Sequence, residues 1–347
     1  MQRKAASAYP AHLAPGGRDP NGHATRSAPM GSETEFRTHG WRQALLSRCR
    51  GLPPVPTAVV HPCDVVALRA ALDAAAQGLI TPILVGPEAK IRAAARAAGA
   101  DISSFRLEPT PHSHAAAARG VALVRSGEAQ VLMKGSLHTD ELMHEVTAPE
   151  TGLRTARRIS HVYIMDVPRY PRPLFITDAA INIAPTLEDK RDIVQNAIDL
   201  AHVLDLPRPR VAILSAVETV TSKLQSTLDA AALCKMADRG QISGGDLDGP
   251  LAFDNAVSPE AAADKGIVSA VAGQADILVA PDLVSGNILA KQLTFLAGAE
   301  AAGVVVGARA PIVLTSRADT ETARIASCAV AVLMAHAAQA ATTETLA

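Results

Sequence analysis

The feature that most constrains this chain is an alternation repeated along most of its length. Short, largely apolar runs hand over to stretches whose apolar residues recur at helical spacing. TAVVHP (57–62) is followed by CDVVALRAALDAAAQG, and TPILVG (81–86) by PEAKIRAAARAAG, with Pro87 near the first turn. Further β-rich runs are AQVLMKG, SHVYIMDVP, PLFITDA, RVAILSA, ADILVAP and AGVVVG. The helical stretches between them include LEDKRDIVQNAIDLAHVL, STLDAAALCKMADRG, with Gly240 placed for a left-handed cap, and GNILAKQLTFLAGAE. Strands that are apolar throughout and separated by helices predict an α/β fold, its sheets mostly parallel and covered on both faces.

A chain of 347 residues exceeds the roughly 250–300 at which single cores stop growing, so two domains with a cleft between them are expected. Residues 1–40 mix Pro, Gly, Ser, Arg and His without hydrophobic period and read as a disordered tail or linker, with an organellar transit peptide as the alternative. A formal net charge of -1 argues against nucleic acid or an acidic membrane as partner, and 3% aromatics leave little for base stacking. Cys49, Cys63, Cys234 and Cys328 are dispersed and never form C-x-x-C, which suits reduced, buried thiols. No run was found to approach the 18 uncharged apolar residues of a membrane span, and no secretory h-region opens the chain, so a cytoplasmic location is expected.

In parallel α/β sheets ligands bind where strands end and loops enter helices. The polar residues at such places are Lys134-Gly135-Ser136, Ser215 to Glu218, Asp282 to Asn287, and Ser316-Arg317. No G-x-G-x-x-G, G-x-x-x-x-G-K-[ST], H-E-x-x-H or G-x-S-x-G occurs. His138 and His144, six apart, and His112-x-His114 offer no compact ligand set, so no metal is expected. Capping accounts for Ser316 as N-cap, Asp319 at N3 and Glu321, but not for Arg317, because a cation in the first turn opposes the helix dipole. A guanidinium at a helix N-terminus does suit an anion such as phosphate or carboxylate.

The segments PIVLTSRAD, LMKGSLHT, GLRTARRISHVYIM, LSAVE, GPLAFDNAVSPEAAADKGI and APDLVSGNILAKQL together resemble the phosphate acetyl/butyryltransferase family over about residues 55 to 340. Their wording is closer to the butyryltransferase branch. The chain also looks like the C-terminal part of proteins with an enoyl-CoA-hydratase-like domain fused upstream. The resemblance implies a two-domain α/β/α architecture like that of isocitrate and isopropylmalate dehydrogenases, with the active site in the interdomain cleft. Domain I would comprise 41–158 plus 300–342 and domain II 159–299. It implies transfer of an acetyl or butyryl group between coenzyme A and inorganic phosphate, with coenzyme A a substrate, no cofactor, and a homodimer.

In that reading Arg317 holds phosphate and Ser316, or a first-turn backbone N–H, steadies the oxyanion. The family's base, seven positions beyond the serine, falls on Ala323, so Asp319, four residues earlier on the same helical face, is taken in its place. Lys134, Arg154, Gly286, Asn287 and Lys291 are the substrate-binding candidates. His144 stands near where the acetyltransferases carry an arginine for coenzyme A phosphates, and Asp254-Asn255 would shape the acyl end. The alternatives are a non-catalytic acyl-CoA or acyl-phosphate binder of this fold, motivated by Ala323, and a metal-dependent dehydrogenase using Asp246, Asp248 and Asp254.

Overall fold

The computed structural model describes residues 40–314 and 319–346. Helix α1 (Trp41–Cys49) precedes a strict alternation: β1 (Val55–Val60), α2 (Val65–Ala76), β2 (Ile80–Gly86), α3 (Glu88–Ala98), β3 (Arg106–Pro109), α4 (Ser113–Arg125), β4 (Val131–Lys134) and α5 (Thr139–Thr147). Strands β5 (Ser160–Asp166) and β6 (Leu174–Thr177) then follow one another directly. Alternation resumes with α6 (Leu187–Val203), β7 (Arg210–Leu214), α7 (Gln225–Asp238), β8 (Asp246–Leu251), the short α8 (Phe253–Val257) and α9 (Pro259–Asp264), β9 (Ile277–Val279) and α10 (Leu283–Leu296). The chain closes with β10 (Glu300–Val306), β11 (Ile312–Val313) and α11 (Glu321–Leu346).

All these strands form one sheet rather than separate ones, in the order β3-β2-β1-β4-β11-β10-β5-β6-β9-β7-β8. Pairing is parallel except at β11–β10, β10–β5 and β5–β6. Two of those exceptions join strands whose connections are too short for a crossover helix, so the chain must turn back on itself. The sheet is therefore mixed and mostly parallel. Strands from residues before 159 and after 300 make up one half, and β5 to β9 the other.

Helices cover both faces. On one face a continuous core joins α1, α2, α3, α6, α7 and α11 to the sheet. On the other face the core is in two pieces, one under α4 and α5 and one under α8 and α10. Along β5 the split falls between Ile159, in the first piece, and Tyr163 and Met165, in the second. Along β10 it falls between Val305 and Ala301. The residues at this seam are His161 and Gly303.

Several local expectations need correcting. Residues 246–251 form β8 despite their Asp, Gly and Pro content. It is the last strand and pairs only with β7, and an edge strand tolerates Pro and Gly because one side makes no ladder bonds. Helix α10 is capped by Asp282, whose side chain accepts from the Ser285 N–H at 2.9 Å. Gly240, as expected, takes φ +73° just past α7. Helix α11 overturns the expectation that no segment is long and apolar enough to span a membrane, since residues 321–341 meet that test. It packs on β10, α1 and α2, and Ile325, Val330, Val332 and Leu333 are buried in the sheet core. Burying each contributes about 1.5–3 kcal/mol, which accounts for its apolar composition.

Candidate active site

The seam opens into a cavity of about 450 Å³ lined by Lys134, Leu137, His138, Thr139, His161, Tyr163, Ala180, Leu283, Asn287 and Leu314. Strand register explains how residues so far apart in sequence meet. Leu132, Ile312, Val305 and His161 lie in one transverse row. Tyr163 pairs with Gly303, and Lys134 and Leu314 follow directly on the paired Met133 and Val313.

Lys134 reaches the cavity from the end of β4. The turn after it is held by Gly135, where a Cβ would lie 2.5 Å from the Val60 carbonyl and 2.6 Å from that of His61, so only glycine allows this approach. Ser136 Oγ then donates to the His61 carbonyl at 2.9 Å and accepts from the Cys63 N–H at 3.1 Å. The chain next enters α5, whose N-cap His138 makes no side-chain capping bond. His138 and Thr139, at the N-terminal end of α5, line the cavity beside Lys134, a setting that favours an anion.

The opposite wall is the loop after β6 and the first turn of α10. Asp178, nearly fully buried, accepts from the N–H groups of Ala180, Ile181 and Asn182 and from the Asn182 side-chain amide at 2.6 Å. Gly286 lets α10 close on this loop, for a Cβ there would meet the Asp178 carbonyl oxygen at 2.5 Å. Asn287 Nδ2 donates to the Ala179 carbonyl at 3.0 Å while its side chain lines the cavity.

The third wall is Leu314, just after β11. Ser316 and Arg317 lie outside the described residues. Leu314, two positions before Ser316, lines the cavity. Asp319 is close enough for its charge to act on Tyr163, whose phenol is pushed up to about 12 by burial first and then by the carboxylates of Asp319 and Asp178. Asp319 is not at N3, however. The helix begins at Glu321, and Thr320 Oγ1 accepts from the Ala323 N–H at 3.2 Å. Asp319 therefore precedes the cap, and the shared helical face with Ala323 does not exist. A hydroxyl four residues later than expected serves as the cap.

Of the substrate-binding candidates, Lys134 and Asn287 are brought together in the cavity lining, with Gly286 packed behind. Lys291 is exposed one turn beyond Asn287 on the same face of α10. Arg154 is exposed beside a bridge to Ala308, and His144 is exposed on α5, and neither lines the cavity. Asp254 is exposed and Asn255 wholly buried, also away from the lining. Sequence reasoning missed His161 and Tyr163. The available signal was a histidine interrupting the apolar alternation of β5. Its ring meets that of Tyr163 edge-on at 4.4 Å between centroids. His161 is 1% exposed, and burial lowers its pKa to about 4 although Asp178 opposes this.

A cavity at strand ends, lined by a lysine and by the N-terminal end of a helix, defines an α/β protein equipped to handle a small anionic reactant. Comparisons with known proteins make this specific. The family model of phosphate acetyl/butaryl transferases matches residues 110–332. A phosphate acetyltransferase of Rhizobium meliloti is 65% identical over 291 residues, covering 84% of this chain and 92% of that protein. A phosphate butyryltransferase of Clostridium acetobutylicum is 43% identical over 272 residues, covering 78% and 90% respectively. The crystal structure of a branched-chain phosphotransacylase from Enterococcus faecalis V583 superposes with a TM-score of 0.71 at 30% identity, covering 81% of this chain and 99% of that one. The chain belongs to the phosphate acetyl/butyryltransferase family.

Proposed function

We propose that this chain transfers an acetyl or butyryl group reversibly between coenzyme A and inorganic phosphate, giving acyl phosphate and free coenzyme A, in the cavity at the sheet seam. The observation that carries this reading is the meeting of Lys134 and the open end of α5 with Leu314, which leads into Ser316-Arg317. An oxygen of hydrogenphosphate attacks the thioester carbonyl, the new C–O bond forms, the C–S bond breaks, and the proton given up by the phosphate passes to the leaving thiolate. Lys134, the α5 N–H groups and Arg317 hold the phosphate, and Ser316 donates to the carbonyl oxygen. In the reverse direction Asp319 takes the thiol proton, its carboxylate lying near the cavity through Tyr163. Acyl transfer moves no electrons between centres, so coenzyme A enters as substrate and no further cofactor is required.

Residues 41–158 plus 300–342 and residues 159–299 act as two domains flanking the cavity. The chain works in the cytoplasm as a homodimer. Support for self-association comes from α10, where Val284, Ile288, Phe295 and Leu296 are all exposed. Family membership disfavours the dehydrogenase alternative, and turnover separates the enzyme from a non-catalytic binder.

The test is release of free thiol from acetyl-CoA, propionyl-CoA and butyryl-CoA with and without phosphate. Phosphate-dependent turnover is expected, with acetyl-CoA the first donor to try given the 65% identical acetyltransferase. Arg317→Ala should lower the rate roughly 10²–10³-fold and Asp319→Asn on the order of 10²-fold. Binding of acyl-CoA without thiol release would overturn the enzymatic reading.

A further inference from the structure

We infer that His161 is a catalytic residue of this cavity, a neutral hydrogen-bond donor to the carbonyl oxygen of the bound acyl group. The inference rests on the acyl-transfer reading above, and it adds a group at the cavity floor that the strand-end residues do not supply.

Three observations point to the ring. It stands where the core on that face of the sheet is interrupted, along a segment whose same-face residues Ile159 and Met165 belong to the two apolar core pieces on either side. Its Nδ1 is sealed from solvent and has no hydrogen-bond partner among the described residues. On the neighbouring strand β10 Val305 is the direct partner and the diagonal position is glycine, where a Cβ on Gly303 would lie 2.9 Å from Nε2 and 3.1 Å from Cε1. A buried polar group without a partner is costly and calls for an explanation. A strand position that could hold valine instead carries an imidazole, and glycine leaves the ring its space.

The nearest carboxylate does not explain the ring. Val162 pairs with Thr177 in antiparallel register, so His161 lies across from Asp178. Asp178 is already occupied by three backbone N–H groups and the Asn182 amide. Among the described residues, the titratable groups at or bordering the cavity besides His161 are Lys134, His138, Tyr163, Asp178 and Asp319. Burial outweighs the attraction of Asp178 and keeps His161 uncharged at neutral pH. An uncharged imidazole carries one proton. Orphaned buried N–H groups are rarer than orphaned acceptors, which puts the proton on Nε2 and leaves the sealed Nδ1 as the unpaired acceptor.

A neutral donor is poorly matched to phosphate, which Lys134 and the α5 terminus suit better. It does match a carbonyl oxygen that gains charge as phosphate adds, because a fixed donor in a dry site stabilises charge where it develops. The lining agrees, since Leu137, Ala180, Leu283 and Leu314 provide apolar wall for a short acyl chain.

The experiment compares wild type, His161→Gln and His161→Phe in phosphate-dependent thiol release from acetyl-CoA, alongside ¹⁵N NMR of the His161 ring titrated with acetyl-CoA. His161→Phe should lower kcat about 10²-fold with KM for both substrates changed only a few-fold, and His161→Gln should recover part of the loss through its amide. The wild-type Nε2 resonance should move on saturation with acetyl-CoA while the ring stays neutral at pH 6. A His161→Phe enzyme with wild-type kcat, or ring resonances unmoved by saturating acetyl-CoA, would overturn the inference. The NMR arm decides if the phenylalanine variant does not fold. A wild type without phosphate-dependent turnover would sink the acyltransferase reading instead, and the ring titration would still test the contact.

Discussion

Tyr163 is opposed in its ionisation by burial and by two carboxylates, and its phenol is the most direct reporter of where Asp319 lies. Neutralising Asp319 removes a negative charge that disfavours phenolate, so Asp319→Asn should bring the Tyr163 pKa down from about 12. It should stay above the ordinary value of 10, because burial is the larger cause. Phenolate absorbance near 295 nm against pH would show this, and an unchanged titration would place Asp319 away from the cavity. Individual residues were legible in the sequence where a local rule applied. Lys134 and Asn287 follow from the rule that ligand groups cluster where strands end and helices begin. His161 lies within a strand, and its meeting with Lys134 depends on the register of β4, β11, β10 and β5, which no local pattern encodes. Arg154 and His144 lie in segments that resemble the family, yet both are exposed and neither lines the cavity.

Helix α11 is tied to the sheet by a side chain as well as by apolar packing. Strand β11 has only two residues and meets β10 only at Val305, which leaves the Gly303 N–H without a strand partner on that side. Ser327 Oγ accepts from that N–H at 2.9 Å and donates to the Ala323 carbonyl at 2.8 Å. Ser327→Ala should therefore cost about 1–3 kcal/mol, the penalty of an orphaned buried donor, and denaturant titration would measure it. A cost near zero would mean that α11 holds the sheet by packing alone. Most elements could be read from hydrophobic period, because long buried strands and amphipathic helices carry strong patterns. The start of α11 was misread because serine, the better N-cap, stands four residues before the threonine that caps the helix. Strand β8 was missed because edge position relaxes the very rules that identify strands.

Across the whole molecule, burying a neutral histidine makes stability depend on pH. The folded protein takes up the His161 proton only near pH 4, whereas the unfolded chain takes it up near 6.5. Stability from this group is complete above 6.5 and is lost as pH falls toward 4, by about 3 kcal/mol at most. His61, whose pKa is also lowered mainly by burial, adds in the same direction. The loss of urea stability between pH 7.5 and 5 should be smaller in His161→Gln than in wild type, and equal losses would contradict the assignment. The α/β class was legible from the alternation of runs, and the single mixed sheet was not, since strand order depends on which distant segments pair. That order bears on how the protein is made. Strands β10 and β11 sit at the centre of the sheet, between β4 and β5, yet emerge from the ribosome after every other strand. Until they arrive, the inner edges of β4 and β5 are open templates for pairing with other chains. The nascent polypeptide must remain protected from self-association until its final segment threads the two halves together.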